Sequence, residues 1–139
     1  MARSNIYTPT FGQQERYSDF LLSFDKNPQT GNLGRVVNEQ SIKQALKTLV
    51  LTDLGERFYA PTVGSKLKAS LFDPVDPSTA DLIRTTIMQC IQNNEPRVNV
   101  IEVVVADDSD GNRYVVSIIF NLINIPDTLQ LDLLLKRAR

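Results

Sequence analysis

The chain has 139 residues, of which 42% are hydrophobic and 22% are charged. This length lets one domain bury a hydrophobic core without disulfide bonds, and the composition argues against a disordered chain. The formal net charge is −1, and the 15 Lys and Arg residues are spread along the sequence. Because they form no basic stripe, we expect no nucleic acid partner. The cluster Lys136, Arg137 and Arg139 is too short to attract a membrane and predicts a solvated tail.

The residue types that are rare in this chain narrow its chemistry. Histidine is absent, which removes Ser-His-Asp and Cys-His nucleophiles and every metal site with an imidazole ligand. Cys90 is the single cysteine, and its place in an apolar helical pattern predicts a small core residue. Residues 1–10 have no apolar core like that of a signal peptide, and no stretch reaches the roughly 18 apolar residues of a membrane span. We expect no cofactor and no membrane partner, in a protein made and used in a cytoplasm.

We expect a single domain over residues 1–139, with an irregular segment at about residues 1–37, which are polar and rich in turn-forming residues. Within that segment, Phe20–Phe24 and Leu33–Val37 are predicted to pair as a hairpin. The turn between them, Asn27–Gly31, contains a proline and a glycine that supply the required backbone angles.

The next region predicts two helices. The first begins at Asn38, with Asn38 or Ser41 as its cap, and ends before Gly55, which can close a helix C-terminus. The second is short, is capped by Ser65 and continues to about Phe72. The residues predicted to be buried are Ile42, Ala45, Leu46, Leu49 and Val50 in the first helix and Leu67, Leu71 and Phe72 in the second.

A third helix follows the rigid connector at residues 73–77. Ser78 with Asp81 three residues later resembles a capping box and predicts the start of the helix. The helix should stop near Asn94, because Pro96 disfavours the helical conformation in the residue before it. The inward-facing residues are predicted to be Ala80, Ile83, Ile87, Cys90 and Ile91.

The last part of the chain predicts an antiparallel sheet. Val98–Ala106 and Arg113–Ile123 form a hairpin, joined by the loop 107–112, whose Asp-Gly step favours a tight reversal. Pro126–Asp127 is predicted to be another turn, and residues 128–135, with leucine at alternate positions, a third strand. The fold class is therefore α+β, with about three helices packed on a small antiparallel sheet made of a C-terminal hairpin and a third strand.

The acidic loop at residues 106–111 resembles a calcium-binding loop only in part. When Gly111 is placed at the sixth loop position, Ala106 falls at the first and Ser117 at the twelfth, so two expected ligands are missing. We interpret it as a polar hairpin loop and expect no metal site.

A glycosidase needs a carboxyl group that is held protonated in an apolar pocket. Glu56 and Glu95 are the acids in motif-like settings, but each neighbours an arginine, which favours the ionised carboxylate. The chain also has no tryptophan to form a sugar platform. We expect no catalytic residues and no enzyme activity, with a muramidase as the rival interpretation.

Two charged tripeptides are candidates for partner binding. Pro96 fixes the chain direction after the third helix, so that its two flanking charges would project from a rigid corner and lose little entropy on binding. The alternative is a helix end with two solvated charges. The second tripeptide has the same two interpretations, which the residues alone do not separate. The candidate residues are Glu95, Pro96 and Arg97 in the first tripeptide and Gly55, Glu56 and Arg57 in the second.

The order and spacing of these motifs resemble a family: the baseplate wedge or sheath-initiator subunit of contractile-tailed phages, also found in type VI secretion baseplates. The resemblance covers the chain from about Tyr17 to about Leu135. Val63 stands where the family usually has Phe before its Gly-Ser pair. Some members of the family carry an older label as phage lysozymes. The elements that match are Leu51-Thr52, Gly55-Glu56-Arg57, Pro61, Gly64-Ser65, Leu67, Leu71-Phe72 and Glu95-Pro96-Arg97.

The resemblance implies a structural, non-catalytic part of the tail baseplate of a virion, assembled in the host cytoplasm. It implies that the Glu-Pro-Arg corner docks on the helical core of the wedge. It also implies that the sheet is similar to the sheath domain that exchanges strands with its neighbours. The implied partners are other wedge subunits, tail sheath subunits and tail tube or hub proteins. A free-standing adaptor that forms its own dimers is a further rival interpretation.

An open sheet edge would let sheath chains add strands, because an edge strand exposes unpaired backbone groups. We expect the segment 128–135 to be that edge, since it has no internal proline and Asp132 as its only charge.

Overall fold

The computed structural model describes residues 14–108, 110–123 and 125–137. Arg139 and residues 1–13 of the expected irregular segment therefore lie outside the described residues. The described part is α+β, as predicted, with a two-stranded and a three-stranded antiparallel sheet. In chain order the elements are β1 (Ser18–Phe20), β2 (Arg35–Val37), α1 (Asn38–Leu51), α2 (Leu67–Ser70), α3 (Pro77–Asn94), β3 (Val98–Asp108), β4 (Arg113–Leu122) and β5 (Ile125–Lys136).

The chain groups into two compact units, Met1–Ala45 and Leu46–Arg139. The expectation that they form a single domain stays a prediction. No helix among the described residues is long and apolar enough to cross a membrane.

The described part of the first unit contains the predicted hairpin. Strands β1 and β2 are antiparallel, with Phe20 opposite Arg35. Strand β2 lies within the predicted Leu33–Val37, whereas β1 ends at Phe20, where the predicted strand Phe20–Phe24 begins, so the expected bounds of the first strand are wrong. In the turn, the backbone N–H of Gly31 donates to Asn27 O at 2.9 Å, and Gly31 has φ +72°, which a glycine adopts at little cost. Asn38 does not serve as the expected helix cap. Its Oδ1 instead accepts hydrogen bonds from the backbone of residues 16 and 17, at 2.9 and 3.4 Å.

In the second unit, the short α2 differs from the prediction in its cap and at one aromatic residue. Its N-cap is Lys66, which makes no side-chain capping bond, and not Ser65. Leu67 and Leu71 lie four positions apart on one face and are buried as expected, whereas Phe72 is 71% exposed. The expected burial of Phe72 is wrong because α2 ends at Ser70, and one more residue turns the side chain away from the buried face. Ser65 Oγ accepts from Leu67 N at 3.3 Å and donates to Val50 O at 2.7 Å, which ties the start of α2 to the end of α1.

Helix α3 has the predicted end and a different cap. Asp76, not Ser78, accepts a hydrogen bond from the backbone N–H of Thr79 at 2.6 Å. Pro77 occupies the first helical position, where a missing N–H costs nothing, and this sets the cap one residue before it. The predicted core residues Ile83, Ile87, Cys90 and Ile91 are buried; Ala80 is half-buried, and Thr79 is buried in its place.

The C-terminal sheet has the order β3-β4-β5, and α3 packs on β3. Strand β4 is central, and its alternate residues from Tyr114 to Leu122 are buried. The hairpin of β3 and β4 is confirmed, with a bulge at Ile101 that was not predicted. The expected turn at Pro126–Asp127 is wrong. Both residues lie within β5, where the register shifts between Asn121, opposite Thr128, and Leu122, opposite Ile125; a bulge of this kind accommodates proline.

Within the basic cluster that was predicted to be a solvated tail, Arg137 is hydrogen-bonded to two other parts of the chain. The Arg137 backbone N–H donates to Asn112 O at 3.2 Å, and its guanidinium donates to Asn112 Oδ1 at 3.0 Å and to Asp73 O at 2.9 Å. Arg137 therefore links the end of β5 to the β3–β4 loop and to the connector before α3.

Candidate partner-binding site

The Glu95–Pro96–Arg97 corner is fixed by backbone hydrogen bonds on both sides. Glu95 caps the C-terminus of α3, since its N–H donates to Ile91 O at 2.8 Å. The Glu95 carbonyl accepts from Val98 N at 3.3 Å, and the Arg97 carbonyl accepts from Ile123 N at 3.2 Å. These bonds hold the corner between the end of α3, the start of β3 and the end of β4.

The side chains at this corner form a two-pronged ion pair. Arg97 Nε donates to Glu95 Oε1, and Arg97 Nη2 donates to Glu95 Oε2, each at 2.6 Å. The Glu95 side chain is 9% exposed and the Arg97 side chain 38%. The sequence allowed two interpretations, two charges that project for binding or two solvated charges. The structure shows neither, because the two side chains pair with each other. A buried glutamate orients a half-exposed arginine.

This arrangement makes Arg97 a pre-ordered binding group. A free arginine loses rotamer entropy when it docks, whereas Arg97 is held by two charge-assisted bonds before any partner arrives. Pro96, exposed beside it, removes a further backbone freedom. The corner can thus present a planar cation to a carboxylate or to backbone carbonyls of a partner.

The Gly55–Glu56–Arg57 tripeptide lies in an exposed loop, several residues after α1 ends at Leu51. Gly55 does not close that helix. It has φ +85°, and its N–H donates to Pro61 O at 2.9 Å, across the loop. Glu56 Oε2 accepts from Asp53 N at 2.8 Å. Gly55 and Glu56 therefore shape the loop itself, and Arg57 is left exposed on it.

The base of this loop is tightly closed. Ser65 N donates to Thr52 O at 2.8 Å, and Cys90 Sγ donates to Gly64 O at 3.1 Å. Gly64 has φ +137°, and a Cβ built there would lie 2.6 Å from Thr52 O, so only glycine fits. Burial raises the pKa of the Cys90 thiol, which keeps it a neutral donor in this contact.

Two aromatic side chains at the tip of this loop were missed by the sequence analysis. Phe58 is 96% exposed and Tyr59 is fully exposed. The sequence does contain a signal for this surface, because the two adjacent aromatic residues lie between two turn-forming residues, Gly55 and Pro61. Exposed aromatic side chains on a pinned loop are typical of protein contact surfaces.

The acidic β3–β4 loop is closed by its own hydrogen bonds. Asp108 Oδ2 accepts from Arg113 Nε at 2.6 Å, and Asp108 Oδ1 accepts from Gly111 N at 3.3 Å. The hydrogen bond from Arg113, together with that from Gly111, holds the pKa of Asp108 below its usual value. Among the described residues, no group of three or more Cys, Asp or Glu side chains is placed to hold a metal ion.

The sequence model of the family described as baseplate wedge protein gp25 matches residues 36–127, which include both charged tripeptides. Baseplate wedge protein gp25 of Enterobacteria phage T4 is 31% identical over 99 residues, which are 71% of this chain and 75% of the T4 protein.

Two solved structures share the fold. A chain of the anti-feeding prophage baseplate has a TM-score of 0.69 and 23% identity, covering 80% of this chain and 89% of its own. A Geobacter sulfurreducens protein described as a tail lysozyme has a TM-score of 0.62 and 21% identity, covering 73% and 94%. At these identities the two structures support the fold alone. The match to the family and the 31% identity to its T4 member go further and confirm the resemblance: the chain belongs to the family of baseplate wedge protein gp25.

Proposed function

We propose that this structural baseplate subunit docks on other wedge subunits through the Glu95–Pro96–Arg97 corner and starts the tail sheath at the edge of β5 with which no described strand pairs. The observation that carries the proposal is the ion pair at the corner, with its two 2.6 Å hydrogen bonds. A surface arginine paired in this way is costly to build, because the glutamate has been withdrawn from water. An interface that uses the oriented guanidinium explains that cost.

The corner suits a partner that offers carboxylates or unpaired carbonyl groups, such as the ends of helices in the wedge core. The planar fork of Arg97 can make paired hydrogen bonds to either. Arg57, on the loop that carries Phe58 and Tyr59, is a second candidate contact, with Gly55 and Glu56 shaping that loop. Assembly in the host cytoplasm and contacts with tail tube or hub proteins belong to the same proposal.

The two edges of the C-terminal sheet are unequal as templates for sheath strands. Strand β3 has a bulge at Ile101, a charge at Glu102 and two more at its end, all features that discourage edge pairing. Strand β5 has its bulge, Pro126 and Asp127 at its start, but from Thr128 to Lys136 it pairs without interruption and carries only Asp132 before the final lysine. These features favour β5 as the edge to which sheath strands add.

The carboxyl groups support the non-enzymatic part of the proposal. Both oxygens of Glu95 accept hydrogen bonds from Arg97, and Glu56 Oε2 accepts from a backbone N–H. A glycosidase acid must instead offer its proton to a glycosidic oxygen. Neither carboxyl group is arranged for that role.

The docking half is tested by the double variant Glu95→Gln/Arg97→Gln. It removes both charges together, so no unpaired charge is left buried and the fold should be retained. Arg84→Gln, at an exposed position of α3, is the matched control. We expect the double variant to be absent from purified baseplates and the control to be present. Normal incorporation of a folded double variant would overturn docking at this corner.

A further inference from the structure

A cavity of about 320 Å³ opens beside the last residues of β5. Its walls come from the end of α1, from α2 with the turn after it, and from the end of β5. The volume is about twice that of a cavity of roughly 150 Å³ that holds a benzene molecule. One or two large apolar side chains would therefore fit.

The lining of the cavity is apolar, with charge at its rim. Leu71 and Leu135 form part of the buried wall, and Phe72 and Leu134 stand exposed at the opening. An apolar cavity of this size that the described residues leave open to water offers a hydrophobic contact to a partner.

The charges at the rim indicate the sign of the occupant. Lys68 Nζ lies 2.7 Å from Asp53 Oδ2, so these two charges compensate each other. Lys136, the last residue of β5, also lines the cavity and places a positive charge on the β5 side of the rim. An occupant with an acidic residue beside its apolar one would complement this rim.

The position of the cavity on β5 gives the register of the occupant. Leu135 points to the buried side of the sheet, whereas Leu134 and Lys136 point to the exposed side. In a strand paired with β5, the residue opposite Leu135 would point toward the cavity, and its neighbour opposite Lys136 would point to the exposed face. The apolar and acidic residues of the occupant would thus be adjacent in sequence.

We propose that this cavity receives an apolar side chain from the sheath strand that pairs with β5, with an adjacent acidic residue of that strand beside Lys136. The inference rests on the proposed addition of a sheath strand to β5, and it adds the residue types that select the strand. Backbone pairing alone accepts many sequences, whereas a filled apolar pocket and a cross-strand ion pair discriminate among them.

The first test is photocrosslinking in assembled tails. A benzophenone amino acid replaces Phe72 at the cavity opening or, as the control, Ile101 on β3, which β4 separates from β5; both positions are exposed. We expect the probe at Phe72 to crosslink to a sheath segment in which an acidic residue adjoins an apolar one, and the probe at Ile101 not to reach that segment. A crosslink from Phe72 to a wedge subunit, or none, would overturn the proposal.

The second test uses two variants of the full chain. Leu71→Phe fills the cavity from within, and Lys136→Glu reverses the charge at its rim, with Lys47→Glu at an exposed position of α1 as control. Both test variants should enter baseplates normally and yield at least tenfold fewer sheathed tails, and an acidic-to-lysine change in the sheath strand should rescue Lys136→Glu. Normal sheath on both folded variants would refute the cavity, while strand addition to β5 would still be judged separately by proline variants of that strand.

Discussion

At the scale of single residues, the corner after α3 is a coupled pair rather than two surface charges. Arg97→Ala leaves the Glu95 carboxylate buried without its partner, so we expect a loss of about 2 kcal/mol in the free energy of unfolding. Glu95→Gln should cost less, because the guanidinium is 38% exposed and can be solvated. Urea unfolding of both single variants and the double variant gives the coupling energy, expected at about 1–3 kcal/mol. Additive effects would contradict the pairing.

Gly64 and Gly55 make a second comparison between single residues. Both have positive φ, but a Cβ at Gly64 would lie 2.6 Å from Thr52 O, and one at Gly55 would meet nothing within 4 Å. We expect Gly64→Ala to lose about 3 kcal/mol, from a steric clash added to backbone strain, and Gly55→Ala to lose about 1 kcal/mol from strain alone. Thermal unfolding measures both. Equal losses would show that the loop base yields to the extra methyl group.

At the scale of elements, the start of α3 has a pH-dependent cap. The hydrogen bond from Thr79 N–H holds the pKa of Asp76 below its usual value of 3.8. The cap therefore stabilises the fold fully above about pH 3.8 and loses this effect as pH falls through the lower pKa of the folded state. We expect Asp76→Ala to be less stable than the wild type at pH 7, with the difference shrinking below pH 4. A difference that stays constant down to acid pH would exclude Asp76 as the cap.

The edges of the C-terminal sheet carry the next prediction at this scale. Neighbouring residues of a strand direct their N–H groups to opposite edges. Of the two variants Leu131→Pro and Asp132→Pro, one therefore removes an N–H that points away from β4 and leaves the hydrogen bonds between β5 and β4 intact. The variant that stays folded should enter baseplates but fail to nucleate sheath. Val104→Pro and Val105→Pro supply the equivalent pair on β3, where the folded member should have no effect. Electron microscopy of tails distinguishes the edges, and normal sheath on the folded β5 variant would rule out strand addition there.

At the scale of the whole molecule, the prediction is the absence of peptidoglycan degradation by the purified protein. The two acids in motif-like settings, Glu95 and Glu56, are held by hydrogen bonds that do not suit a glycosidase acid. A zymogram should show no clearing. Clearing that disappears in Glu56→Gln or Glu95→Gln would instead establish a muramidase and refute the structural interpretation.

Most of the element types in the described part were accessible from the sequence, because periodicity is a local property. Alternate burial along β4 and the inward isoleucines of α3 repeat at the spacing of the element that carries them. The order of short motifs in the sequence also indicated the family, and the match over residues 36–127 confirms it. The boundaries of the elements were harder to predict from the sequence. Pro126 and Asp127 were expected to form a turn, but they lie in a bulge of β5, and that position depends on which residues of β4 lie opposite.

The sequence by itself determined the element types of the C-terminal sheet, the end of α3 at Asn94 and the family of the chain, since each depends on residues close in sequence or on their order. Only the tertiary structure decided that Glu95 is buried beneath Arg97, that Phe72 faces water and that a cavity opens beside β5. These three features depend on how neighbouring elements approach one another. The packing of neighbouring elements decides whether a charge is buried or an aromatic ring is exposed. The type of the residue gives only a tendency toward burial or exposure.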